Sequence, residues 1–209
     1  MPDLVLHTAP AVEPIEADEV AKRLGLFEVD DRIGAFITAA RQSLEGVRGS
    51  LERALITQTW DLYLDEFPCG ELRLPFPPFQ EVVEITVTDD AGAELPIPRS
   101  SYRVLKGEFG RVLPVGSWPR VGAIGQGVRI RFVAGYGDDG AAVEKAAAPI
   151  VQALVLMVGR MLAVSRADMA LRSRTVEGVG ATTWMNPDDV RKGITATEDA
   201  LLAPYRVYS

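Results

Sequence analysis

The sequence predicts an α+β fold: a helical body of N-terminal helices plus a long central helix, a small antiparallel β-domain inserted between them, and an extended C-terminal tail. Three observations carry this reading. The run Val143–Val164, VEKAAAPIVQALVLMVGRMLAV, is apolar at almost every position after Pro149, and a helix apolar nearly all round must be enclosed by protein or lipid. Ile33, Ile37, Ala40, Leu44, Val47 and Leu51 recur at alternating spacings of four and three, the narrow seam of a helix that packs along another. Between these stretches the period drops to two, as in TQTWDLYLDEF, where Trp60, Leu62 and Leu64 alternate with Asp61, Tyr63 and Asp65; that is a half-buried strand. The expected boundaries are 1–56 for an N-terminal arm and helices, 57–135 for the β-domain, 136–166 for the central helix and 167–209 for a loop and docking tail.

In chain order, Met1–Pro14 has neither period and reads as an extended arm. Glu16–Leu24 reads as a short helix stopped by Gly25. Asp30 and Asp31 suit the cap of the next helix, whose seam runs on to Leu51 although Gly34, Gly46 and Gly49 each weaken it. After the Trp60 strand, four prolines between Pro68 and Pro78 leave Leu72–Leu74 as a short edge strand at most. Val83, Ile85 and Val87 then alternate with Glu84, Thr86 and Thr88 up to the turn Asp89–Gly92. Further short strands are expected at Ser101–Leu105, Arg111–Val115 and Val128–Ala134. From Arg166 to Lys192 no clear period survives, and a loop of that length is functional or ordered by a partner. Thr197 caps a short helix in TEDALLAPYRVYS, and Pro204 ends it.

Composition narrows the function classes. The net charge of -7 argues against tight nucleic-acid binding, which relies on Lys and Arg neutralising phosphates. The single cysteine, Cys69, leaves no internal disulfide framework and no Cys-rich zinc site. The start of the chain has no basic region followed by an apolar core, so no secretory signal is expected. The central apolar run contains Arg160 and falls short of the roughly 20 residues of a membrane span, so no membrane is expected. The only histidine, His7, lies in the arm, where it could not serve as a positioned general base. The doublets Asp30-Asp31, Asp89-Asp90, Asp138-Asp139 and Asp188-Asp189 do not fit a calcium loop and sit where caps and turns explain them. Neither Gly122–Gly127 nor Gly178–Gly180 lies in a phosphate-binding turn. No catalytic set, metal or cofactor is expected.

The order of the blocks is informative. AARQSLE at Ala39–Glu45, RALITQTWDLYLDEFP at Arg53–Pro68, LRLPFPPFQEVVEITVTDDAG at Leu72–Gly92, FVAGYG at Phe132–Gly137, PIVQALVLMV at Pro149–Val158 and LLAPYRV at Leu201–Val207 together resemble the head-tail connector (adaptor) proteins of long-tailed phages and gene transfer agents. The resemblance spans about Glu16–Val207; Gly46–Glu52 is longer than the short Thr-Gly turn of the family. It implies a non-enzymatic, homo-oligomeric ring, commonly of twelve copies, in the virion neck, assembled in the host cytoplasm between the portal protein and a stopper or tail-completion protein. Double-stranded DNA would pass through its channel without tight binding. Under that reading Ile33, Ile37, Ala40 and Leu44, with Val151, Val155, Val158 and Leu162, are expected at the subunit interface. Leu201, Leu202, Tyr205, Arg206 and Tyr208, with Trp184 of the loop, are expected to grip the portal. The tail could instead fold back on its own helical body. Two competing functions remain open at this stage: a small-ligand or carbohydrate-binding β-module stacking sugars on Trp60, Tyr102 and Trp118, and a hydrolase built on the Asp doublets.

Overall fold

The computed structural model describes residues 3–122, 125–166 and 187–207. Helix α1 (Ala17–Arg23), α2 (Ile33–Leu44), α3 (Gly140–Arg166) and α4 (Pro187–Leu202) form one layer, and the strands form a second. Five strands make an antiparallel sheet in the order β1-β2-β8-β4-β5, from β1 (Asp3–Thr8), β2 (Gln58–Leu64), β4 (Phe79–Thr88), β5 (Glu94–Pro96) and β8 (Val128–Ala134). A smaller sheet, β3-β7-β6, holds β3 (Leu72–Arg73), β6 (Tyr102–Leu105) and β7 (Arg111–Pro114). Each layer has its own core. Ile33, Ile37, Leu44, Ile150, Leu154 and Val158 centre the helical one; Trp60, Leu62, Ile85, Ile130, Phe132 and Val112 centre the β one, where the two sheets face each other.

Most elements form where the pattern places them, for the expected reason. In β8, Val128, Ile130, Phe132 and Ala134 are fully buried while Arg129 and Arg131 point the other way. Helix α3 breaks at Ala147, whose φ of -148° and ψ of 49° are not helical. Pro149 stands two residues on, in the first turn of the renewed helix, where a missing N–H costs nothing.

Four elements differ from expectation. The arm is a strand: β1 pairs antiparallel with β2 from Asp3↔Tyr63 to Thr8↔Thr59. Its side chains are mostly in solvent, with Val5 and Leu6 exposed, so it leaves no period-two signal. Helix α2 stops at Leu44, earlier than the four-three spacing suggests. Gly46 turns the chain at φ +74°, a conformation cheap only for glycine, and Leu51 N–H returns to Leu44 O at 2.9 Å, restoring Leu51 to the same core. In β4 a bulge falls between Val82 and Glu84. The extra residue, Val83, is turned out and 52% exposed, and Val82 opposes Phe132 in its place. Finally, the C-terminal helix starts at Pro187 rather than near Thr197. Thr197 lies inside it, its hydroxyl donating to Gly193 O at 3.0 Å.

The outer face of the larger sheet is an ion-pair array. Arg131 donates to both Asp61 oxygens at 2.7 and 2.8 Å, while Arg129 reaches Glu84 at 2.8 Å and Glu94 at 2.9 Å. His7 Nδ1 of β1 stands 3.6 Å from Asp61 Oδ2.

Candidate functional site

The charged residues of the AARQSLE and RALITQTW blocks meet where the two layers join. Arg41 and Glu45, one helical turn apart on α2, are both buried and paired. Arg41 also donates to Glu13 at 2.7 and 3.2 Å, fastening the segment ahead of α1. The second oxygen of Glu45 accepts Leu55 N–H at 3.3 Å and Gln58 Nε2 at 3.2 Å, fastening the entry to β2. Burial pushes the Glu45 carboxyl above its ordinary range against the pull of Arg41. Gly135 closes the same junction at φ +137°; a Cβ there would lie 2.6 Å from Thr57 N.

Arg53 is the second hub. It donates to the carbonyl of Tyr205 and to Glu108, and reaches Tyr136 Oη at 3.3 Å. Burial raises the Tyr136 phenol above its ordinary value. Val207 N–H donates to Leu51 O at 3.3 Å. One helical turn ahead of Leu202, the 5%-exposed Glu198 receives Arg160 of α3 at 3.2 and 3.1 Å. Leu202 is 4% exposed in the helical core, with Leu201 and Tyr205 packed against it. Arg206 pairs with Asp199 at 2.7 Å.

These contacts redraw the expected sites. Leu202 belongs to the chain's own core, and Leu201, Tyr205 and Arg206 are half-buried against it, so the segment 187–207 is a folded clasp rather than an extended tail. Trp184 and Tyr208 lie outside the described residues. Ile33, Ile37, Ala40, Leu44, Val151, Val155, Val158 and Leu162 are all at most 3% exposed within one chain. Side chains so covered have no surface left for a neighbouring subunit. Most of the apolar circumference of α3 that had suggested an interface is covered by the chain itself, with Val164 near its end 47% exposed. The same helix, over Gly140–Ser165, is long and apolar enough by composition to cross a membrane, but from Ile150 to Val158 only Gln152 is exposed and Leu156 half-exposed.

Most of the residues named for the two competing readings are engaged elsewhere. Trp60 and Tyr102 are buried, and Trp118 is stacked on Phe67 at 4.1 Å, its Nε1 donating to Gly70 O at 3.2 Å. Asp89 accepts Ala91 and Ala93 N–H, and Asp139 accepts Ala142 N–H in the first turn of α3, so these carboxylates serve turns and caps. Asp30 does the same ahead of α2, accepting Arg32 N–H at 3.1 Å and the Arg32 side chain at 2.8 Å. Among the described residues no three His, Cys, Asp or Glu side chains are grouped to hold a metal.

A cavity of about 200 Å³ opens beside the clasp, lined by Glu52, Arg73, Leu74, Pro75, Phe76, Phe109 and Val207. Arg73 lies over the Phe109 ring at 3.6 Å. Phe76 reaches the cavity at φ +56° and touches the Trp60 ring at 4.5 Å. The sequence gives no direct signal for this cavity beyond the LPFPPFQ block that supplies three of its walls.

With both layers and the clasp in view, the fold can be compared with solved structures. The chain is similar to a chain in the neck of an empty gene transfer agent particle computed with C6 symmetry, at 22% identity and a TM-score of 0.69, covering 99% of this chain and 96% of that one. This is the fold of a gene transfer agent neck chain. A chain in the virion of a native gene transfer agent particle matches at 21% identity and TM-score 0.70, with 99% and 96% covered. Another, in the neck of a native particle computed with C12 symmetry, matches at 22% and 0.67, with 98% and 96% covered. No protein-family model and no curated protein matches the chain. The family resemblance in the sequence and the likeness in fold, which spans both layers, point the same way.

Proposed function

We propose that this chain is a structural subunit of a virion neck, a head-tail connector that forms a ring around the DNA passage between a portal protein and a stopper or tail-completion protein. The observation that carries the reading is the likeness over at least 96% of both chains to chains in the necks of gene transfer agent particles. The C6 and C12 symmetries with which those necks were computed are compatible with a ring of twelve copies. The net charge of -7 suits a passage that repels phosphates and lets DNA slide. Asp30, Asp89 and Asp139 of the doublets are engaged in turns and caps, which supports a building element rather than a catalyst. Portal contact falls to the half-buried side of the clasp, where Leu201, Tyr205 and Arg206 keep partial access, and to Trp184 and Tyr208 on either side of it in the sequence.

Electron microscopy and mass measurement of the purified protein, alone and mixed with the portal of its particle, test this reading. Closed rings on the portal are expected, with DNA affinity weaker than micromolar at physiological salt. A protein that stays monomeric under both conditions would overturn it.

A further inference from the structure

We infer that subunits join head to tail by seating Phe27 of one copy in the Arg73–Phe109 cavity of the next; this rests on the ring reading above. A ring of more than two copies needs two different, complementary patches on each subunit. The helical seam cannot supply them, because it is used up inside the chain. Two other features remain open. Phe27, in the loop between α1 and α2, is fully exposed, although its neighbour Leu26 packs into the helical core. A large aromatic held out by a loop whose adjacent residue is anchored is a knob without a socket.

The socket is the apolar cavity beside the clasp. Its walls include Leu74, Pro75, Phe76 and Phe109, and its volume is about 200 Å³. An apolar cavity of about 150 Å³ holds a benzene molecule, so a phenyl ring fits this one. Phe27 cannot fill it within its own chain. The loop leads into the first turn of α2, whereas Glu52 of the cavity follows Ser50 and Leu51, which bond the carbonyls of Ser43 and Leu44 in the last turn. Twelve helical residues separate the two ends, about 18 Å at 1.5 Å per residue.

Charge sets the register. Glu28 follows Phe27 and is exposed, and neither it nor Arg73 has an opposite-charge partner among the described residues. With Phe27 seated, Glu28 meets Arg73. Glu52, the other charged residue of the lining, leaves the cavity nearly neutral overall, so the ring carries the contact and the charge pair orients it.

Two measurements test the contact. In a Cys69→Ser background, Phe27→Cys combined with Pro75→Cys should oxidise into a ladder of covalent multimers at high protein concentration, while each single variant stops at dimers. Separately, Arg73→Glu should raise the concentration needed for assembly at least tenfold, and adding Glu28→Arg should restore it. A double-cysteine protein that yields no ladder, or charge reversals that leave assembly unchanged while the wild type forms rings, would overturn this inference and leave the ring reading standing. A ladder with rescue but no closed ring in the wild type would keep the contact and overturn the ring. Neither ladder nor ring would overturn both.

Discussion

The two ends of the chain both fold back onto the body, and they do so by different physics. The C-terminal clasp is held by side chains: Leu202 in the helical core, Glu198 on Arg160, and the Tyr205 carbonyl on Arg53. The N-terminal strand β1 is held by its backbone ladder to β2, with only Leu4 packed against the β core. A side-chain attachment draws on burial, worth roughly 1.5 to 3 kcal/mol per large apolar group. A backbone ladder gains only about 0.5 to 1.5 kcal/mol per bond, against about 1 to 2 kcal/mol per residue of ordering entropy. The clasp is therefore part of the fold, while β1 is an addition to it.

Removal of the clasp gives the sharpest test of this contrast. Truncation after residue 186 uncovers the α4-facing side of α3 and leaves Arg160 unpaired, and should cost at least about 4 kcal/mol. At this chain length that lowers the melting temperature by about 10 °C, readable by calorimetry. A truncated protein as stable as the full chain would show that the clasp is only laid on the body. Arg53→Ala comes next, at about 2 to 4 kcal/mol, because the part-buried Tyr205 carbonyl loses its donor and Glu108 its partner. Urea unfolding measures the loss, and faster hydrogen exchange at Val207 would locate it in the clasp.

Acid unfolding probes a place where β1 adds a charged side-chain contact, His7 beside Asp61. Burial raises the Asp61 pKa, but the hydrogen bonds and charge of Arg131, with smaller help from Arg129 and His7, outweigh it and hold the carboxyl below its ordinary value. A carboxylate depressed on folding contributes stability that is present above its unfolded pKa and lost as pH falls through the lower folded value. Asp61→Asn should thus remove about 1 kcal/mol at neutral pH and flatten the acid limb of the stability curve below about pH 4. The smallest effect belongs to β1 itself. Deleting residues 1–8 should change stability by less than about 1 kcal/mol while exposing the β2 amides to faster exchange; a larger loss would place β1 alongside the clasp.

The same division explains what could be read in advance. Burial writes periods into sequence, so β8 and the Ile33–Leu44 seam were legible residue by residue. Backbone-held β1 writes none: its alternate side chains meet the same solvent. The four-three spacing ran on to Leu51 because Leu51 does enter the helical core, though by a turn at Gly46 and not by continued helix. Arg41 and Glu45 stand four apart beside the apolar seam, spacing that allows an ion pair but does not say that it is buried. Their partners Glu13 and Gln58, 28 and 13 residues away in sequence, were not legible, since only the fold brings them together. The interface residues were misplaced for a related reason. An all-apolar helix shows that it is covered, but its sequence does not say by what, and here the cover is the chain's own α2 and α4.

The ion-pair array on the outer face of the larger sheet has a further consequence for crowding. Each copy carries a charge of -7, yet on this face Arg129 and Arg131 stand against Asp61, Glu84 and Glu94, with His7 alongside. Two arginines against three carboxylates leave the array about one charge from neutral, and paired charges a few ångströms apart have fields that fade faster with distance than that of a net charge and are weak at a Debye length of about 8 Å. Adjacent copies can turn these faces toward each other at high local concentration with little mutual repulsion, and the acidic surplus is left to act elsewhere on the surface.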